Sequence, residues 1–507
     1  MAVWNYENAA HLLRRVAFGG TPEQIQTFLN SHDSVESAVS YLLSFPASSR
    51  KPPKGGRDFS EAQLKQQRWW LKTMLRARTP QDEAREKLVL FWHNHLASGF
   101  TKQPETAFMS IQNGLFRRFA NGNFRDLMRE FNRDPANLYY LDGILNYASE
   151  DGKNVTVNEN FGREIMELFT IGIFQLAADG SDDPDKPNYS ESDVHQLARA
   201  LSGWVDIQGS RGVWRQWAWD GGQYDDDADG NADPVTIFGI TNNNFRIDDE
   251  VAGTPDDVLQ LLFGRQDDVG NPQAAMYLAR KFWTWYAYPA PAPGLKTLLE
   301  GFAATFAAND YEVVPMLQQM LSHDEFYSDA AKSRTIKSPV DYVVGTIKAL
   351  GVRSSGRYIG DSDEMGDMIA EMGMDLFEPP NVAGWPGGKR WITTGTLVNR
   401  LDFARRIAEL DYSSTMVRIG TFPGMPLGQE NADPAAIIDA ILAQLGLDGS
   451  QGGIAFTSAQ RDALLDFVTD GGSLATLDLS HEYTDHALYL VRGALALALQ
   501  SGEYQIF

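Results

Sequence analysis

Helical periodicity recurs along this chain with few interruptions, and it constrains the fold more than any other feature. Apolar residues return at helical spacing over Asn8–Val16, Ser60–Arg78, Asp82–Ser98, Glu105–Phe119 and Asn123–Asn132. The same spacing appears over Val157–Ile173, Ser190–Val205, Thr254–Phe263, Pro272–Tyr286, Leu295–Ala308, Glu312–Ser322, Pro339–Leu350 and Asp361–Met372. It ends the chain over Thr396–Leu410, Pro434–Leu445, Ser458–Val468 and Thr484–Leu499. A helix with one apolar stripe must bury that stripe against a neighbour. The expected fold is therefore mainly α: one large multi-helix domain over residues 1–507, with long irregular loops and at most a small β insert. Two stretches break the period. Asp206–Asp249, rich in Gly, Asp and Trp, reads as a long functional loop or a small β insert. PPNVAGWPGGKRWITTG, Pro379–Gly395, reads as a rigid aromatic loop. Their shared composition places both over one face, covering a single cleft.

Charge and cysteine content remove several function classes. With 44 Lys+Arg against 67 Asp+Glu, the net charge is −23. Such a surface repels nucleic acid and anionic lipid, so neither is expected as a partner. The absence of cysteine excludes disulfides, thiolate metal sites and a cysteine nucleophile. No apolar run reaches the roughly 18 residues of a membrane helix, and the N-terminal residues MAVWNYENAAHLLRR carry no apolar signal core. As written the chain reads as cytoplasmic; removal of a leader would make it periplasmic or extracellular.

The densest chemistry lies in VNENFGREIMELFTIGI, Val157–Ile173. Thr156 followed by Glu159 fits a capping box, which starts a helix near Val157. At about 100° per residue, Phe161, Ile165, Leu168 and Phe169 form the apolar stripe, and Glu159 and Arg163 pair opposite it. Glu164 sits on the shoulder of the stripe, where partial desolvation raises a carboxyl pKa. Glu167 lies on the polar side. Two carboxylates in unlike environments are what general acid–base catalysis uses. The plainer reading makes Glu159 a cap and the others structural ion pairs.

Other candidates are weighed the same way. His93 and His95, in FWHNHLASGF, point about 200° apart on a helix, which disfavours a shared metal and leaves one of them as a proton shuttle or both as core residues. Asp225, Asp227, Asp229 and Asp233 resemble half of a calcium loop, and Thr236 stands where the bidentate Glu belongs. Ca²⁺ is the one cofactor expected, and a solvated acidic loop is the alternative. Trp204, Trp385 and Trp391, with the GVWRQWAW cluster at Trp214, Trp217 and Trp219, suit a sugar platform or anchor their loops to the core. Asn94, Asn160, Asn381 and Arg163 are polar partners for a substrate, and Arg14 and Arg15 clamp a carboxylate or pair with Glu164 or Glu167. No Gly-rich phosphate loop, His-Glu-x-x-His or Gly-x-Ser-x-Gly motif is present.

Six strings occur together: AHLLRRVAFGGTP at Ala10, FWHNHLASG at Phe91, NENFGREIMELFTIG at Asn158, SESDVHQLARALSGW at Ser190, KSPVDYVVGTIKALG at Lys337 and PPNVAGWPGGKRWITTGTLVNR at Pro379. In this order they resemble the bacterial DUF1800 family, over roughly residues 8–500. The resemblance implies a large helical protein. Its genes often neighbour those of DUF1501, a family of unknown function that resembles sulfatases, so a DUF1501-type protein is an implied partner. The family strings map onto His93, Asn94 and His95, onto Asn158, Glu159, Arg163, Glu164 and Glu167, and onto Asn381, Trp385 and Trp391. One departure stands out: where many members carry a His-Asp pair and a lysine before Phe/Leu-Gly, this chain reads DDDADGNADPVTIFG.

Two functions follow as expectations. One is an enzyme that hydrolyses or eliminates on a glycan or other small polar or polyhydroxylated substrate. In it Glu164 or Glu167 is acid or base, and His93 or His95 is a second proton carrier. The other is a non-catalytic binding or assembly protein that uses the same cleft.

Overall fold

Helix-start signals written in the sequence are used as written. Thr21 caps the Pro22–Asn30 helix through a reciprocal bond pattern with Gln24, Ser190 does the same with Asp193 for Glu191–Ala200, and Thr457 with Gln460 for Ser458–Val468. Proline opens the helices Pro80–His95, Pro135–Tyr140, Pro339–Ala349 and Pro434–Leu445, where its missing N–H costs nothing. The computed structural model describes residues 2–48, 50–54, 58–148, 155–156, 158–201, 204–207, 216–219, 235–242, 255–352, 362–409, 419–480 and 485–507.

The fold is mainly α. Among the described residues the only sheets are four two-stranded antiparallel ladders. One pairs Phe174–Leu176 with Asp182–Pro187. Another pairs Trp204–Ile207 with Gln216–Trp219, with Trp204 opposite Trp219. The helix expected over Ser190–Val205 thus stops at Ala200, and Trp204 belongs to a strand. Val235–Ile237 pairs with Ile240–Asn242 and packs on the Glu191–Ala200 helix. The described parts of 206–249 are therefore β-hairpin strands. Asp225, Asp227, Asp229, Asp233 and Trp214 lie outside the described residues.

Buried apolar side chains form one continuous core from Ala9 to Tyr504. Trp70, Trp92 and Trp283 are fully buried in it. The Pro80–His95 helix runs through this core, buried along most of its length.

The helix that carries the candidate carboxylates departs from the expected geometry. Its N-cap is Asn158, whose side chain accepts from the Asn160 N–H at 3.0 Å, in place of the expected Thr156–Glu159 box. It is α-helical only over Glu159–Glu164 and continues as a π-helix over Ile165–Thr170. The Thr170 hydroxyl donates to the Ile165 carbonyl at 2.6 Å across this wide turn. π segments are rare and concentrate at functional sites. The constant 100° step therefore fails after Glu164, yet Glu167 still meets Arg163 at i,i+4 on the polar side, where the sequence places it.

Candidate functional site

Gly162 sets the position of this helix. A Cβ there would lie 3.0 Å from the Ala198 backbone N, so only glycine lets the two helices approach this closely. The close crossing brings Arg163 beside Glu191 and Glu159 beside His195. Arg163 donates to Glu159 at 3.2 Å, to Glu167 at 3.2 Å, and to both oxygens of Glu191 at 3.1 and 2.7 Å. The 3.1 Å contact between His195 Nδ1 and Glu159 extends the network. Tyr189 donates its hydroxyl to Glu167 at 2.5 Å. The i,i+4 pair of Glu159 and Arg163 is present as the sequence predicts. Both terminal nitrogens of Arg163 are engaged by carboxylates, so it orders the cluster.

Glu164 differs from its neighbours. It is half-buried and, among the described residues, has neither a hydrogen bond nor an ion pair. Burial, then the Glu167 charge, push its carboxyl up to about 7, and Arg163 offsets this only in part. Glu167, by contrast, is held by an arginine and a phenol. Tyr140 and Tyr277 also feel the Glu164 charge, and Tyr140 feels that of Glu378 as well. Glu378 accepts from the Phe100 N–H at 2.6 Å and from the Thr101 hydroxyl. Lys281, whose ammonium lies 5.1 Å from the Tyr277 ring centre, is lowered to about 8 by burial. Tyr140, Tyr189, Glu191, His195, Tyr277, Lys281 and Glu378 were not singled out from the sequence. Only the Ser190 capping string, which fixes where Glu191 and His195 stand on their helix, offered a signal.

Several sequence expectations are corrected. His93 and His95 are buried, and burial holds each down to about 3, so both are neutral. His93 sits among Trp70, Phe116, Phe377 and Trp385, with no partner for Nε2. His95 Nε2–H donates to the Phe169 carbonyl at 3.0 Å and so anchors the π segment. Enclosed and held neutral in this way, both take the place of core histidines, the alternative that the sequence set beside the shuttle. They share no site, and among the described residues no group of three His, Asp or Glu is placed to hold a metal. Arg14 and Arg15 do not pair with Glu164 or Glu167: Arg14 donates to Gln451, and Arg15 to the carbonyls of Tyr286 and Ala287.

Trp385 and Trp391 are each only 5 % exposed. Their faces are covered by protein, which removes them as a sugar platform and makes them loop anchors. Asn94 accepts from the Trp385 N–H at 2.7 Å and so docks the Pro379–Gly395 loop. Asn381 accepts from the Ala383 N–H at 2.9 Å within that loop's own turn. Asn160 is exposed and donates to the Leu141 carbonyl at 3.3 Å. The Pro379–Gly395 loop docks on the Pro80–His95 helix and the described strand Val235–Ile237 on the Glu191–Ala200 helix, and both helices touch the carboxylate helix. His95 of one binds its Phe169 carbonyl, and Glu191 of the other binds its Arg163.

The docking of the aromatic loop can be tested alone. A Cβ at Gly384 would lie 2.2 Å from the Asn94 carbonyl oxygen, at a φ of +85°. Gly384→Ala is expected to destabilise by about 1–3 kcal/mol, the cost of overpacking, and to quicken proteolysis within Pro379–Gly395. An unchanged urea midpoint would show that the loop docks by other means.

The model of a protein family, described as "Protein of unknown function (DUF1800)", matches residues 11–506. Neither a curated protein nor a solved structure matches the chain.

Proposed function

Because the chain belongs to the DUF1800 family, whose description assigns no activity, we propose from the carboxylate cluster that it is an acid–base enzyme. Its substrate is a glycan or another polyhydroxylated molecule, which it cleaves by hydrolysis or elimination. The observation that carries this reading is the contrast between two adjacent glutamates. Glu164 is half-buried, has no hydrogen bond or ion pair among the described residues, and is pushed up to about 7 by burial; Glu167 accepts from Arg163 and from Tyr189. A carboxyl protonated at neutral pH donates a proton to a leaving oxygen, and a fixed carboxylate beside it stabilises developing positive charge or activates water. Tyr140, which feels the Glu164 charge, supplies a further donor near it.

The test is a panel of neutral and acidic polysaccharides, read by new reducing ends for hydrolysis and by unsaturated sugar for elimination. Activity is expected to fall as pH rises through about 7, as Glu164 loses its proton. Glu164→Gln should lower turnover by about 10² or more, the usual contribution of a general acid. Full activity in that variant would remove Glu164 from the chemistry. An inactive parent across the panel would reject the substrate class.

A further inference from the structure

A buried ammonium or guanidinium without a counter-charge is costly, so interior cations ordinarily stand beside carboxylates. One region of this protein departs from that rule. Arg15, Lys87, Lys337 and Arg400 are 1, 2, 8 and 0 % exposed, and half-buried Arg14 stands with them. Among the described residues, only Lys87 of the five has a carboxylate partner, Asp341. The other four donate to neutral oxygens alone. Arg14 reaches the side-chain and backbone carbonyls of Gln451, and Arg15 the carbonyls of Tyr286 and Ala287. Lys337 donates to the Tyr504 carbonyl at 2.7 Å. Arg400 donates to Gln505 Oε1 at 3.0 Å and to the Lys337 carbonyl at 2.8 Å. Nη1 of Arg15 and Nε of both Arg14 and Arg400 are buried with no acceptor. Burial first, then the Arg14 charge, lowers Lys337 well below its ordinary value, with Arg400 adding to this and Asp341 opposing it; burial likewise lowers Arg15, with Arg14 adding and Asp341 opposing. Two further carboxylates nearby are engaged elsewhere, Glu7 by Lys332 and Glu503 by Gln460.

Two of these cations, Arg14 and Lys337, border a space. A cavity of about 50 Å³ is lined by Arg14, Lys337, Asp341 and Tyr504, and by Gly19, Gly20 and Gly446, whose missing side chains keep it open. That volume holds roughly four waters, or one group of three or four oxygens about a central atom. We propose that this cavity binds a small oxyanion, a carboxylate or a phosphate group, with Arg14 and Lys337 as its principal ligands. One such anion adds the counter-charge that Asp341, already paired with Lys87, supplies only in part. None of these cations' hydrogen bonds reaches the Glu159–Arg163–Glu167 cluster, so the site does not rest on the acid–base reading. Arg14 lies on the Tyr6–Val16 helix, Lys337 precedes the Pro339–Ala349 helix, and Gln451 follows the Pro434–Leu445 helix. An anion held here ties the N-terminal helix to the C-terminal third of the chain.

The experiment compares melting in sodium chloride, inorganic phosphate and sodium acetate at equal ionic strength, with calorimetric titration of phosphate and acetate. Ligand that binds only the folded state raises Tm, so phosphate or acetate should raise Tm above chloride, saturably, with one site per chain. A response to phosphate alone assigns a phosphate group, and a response to acetate alone assigns a carboxylate. Arg14→Gln and Lys337→Met should each weaken binding at least tenfold. Arg14, being half-buried, is the variant to rely on if Lys337→Met does not fold. Identical melting in the three salts, or a variant with undiminished affinity, would overturn the proposal.

Discussion

Glu86→Ala should be among the most damaging single substitutions in this protein. Glu86 and Arg117 are fully buried and joined by two hydrogen bonds, of 2.5 and 2.7 Å. The Trp70 indole also donates to Glu86, at 3.1 Å, and Arg117 donates from Nε to Asn113 at 2.8 Å. Removing the carboxylate leaves a guanidinium in the core without a counter-charge, which costs about 3–5 kcal/mol. That is a large part of the 5–15 kcal/mol, or thereabouts, that holds a typical domain together. Urea unfolding followed by circular dichroism measures it. The exposed pair Arg118–Glu130 is the internal control: it is a single contact of 3.0 Å in water, and Arg118→Ala should cost roughly 1 kcal/mol or less. The double variant Glu86→Leu with Arg117→Met removes both charges and should recover much of the loss, because a buried pair contributes little net stability. A Glu86→Ala protein as stable as the Arg118→Ala protein would show that water reaches Arg117.

Glu164→Gln should have the opposite effect on stability, and only above neutral pH. The Glu164 carboxyl is raised from 4.5 to about 7, so the folded protein holds a proton that the unfolded chain releases. Stability supplied by this group is complete below about pH 4.5 and is lost as pH rises through about 7. Glutamine mimics the protonated form and does not titrate. The variant should therefore melt with the parent at pH 5 and above it at pH 8. Glu167→Gln offers the contrast, because it breaks the contacts to Arg163 and Tyr189 and should destabilise at both values. A direct reading comes from the Glu164 carboxyl carbon shift followed by NMR across the same range. A carboxyl that titrates near 4.5 would refute both the stability profile and the acid role assigned to Glu164. Stability gained at pH 8 together with lost turnover would mark a residue retained for chemistry.

By itself the sequence determined the helices. Leu295–Ala308, Pro434–Leu445 and Ser458–Val468 occupy the residues their periodicity marks, because stripe, cap and proline are local signals that act within one or two turns. The Glu159–Arg163 pair was legible for the same reason. Tertiary structure decided what lies across helices. The π segment at Ile165–Thr170 depends on where His95 captures the Phe169 carbonyl, 74 residues away in the chain. Gly162 shows its purpose only against Ala198. Trp385 and Trp391 offer the same composition whether their faces meet a sugar or a core, and packing against residues such as His93 chose the core. Arg14 and Arg15 are adjacent in sequence, yet one lines a cavity while the other is sealed against backbone carbonyls. Local sequence sets the direction in which a side chain leaves its helix. Whether it meets a carboxylate, a carbonyl or an open space is set by segments hundreds of residues away, and those distant contacts made Glu164 the unpaired member of its cluster.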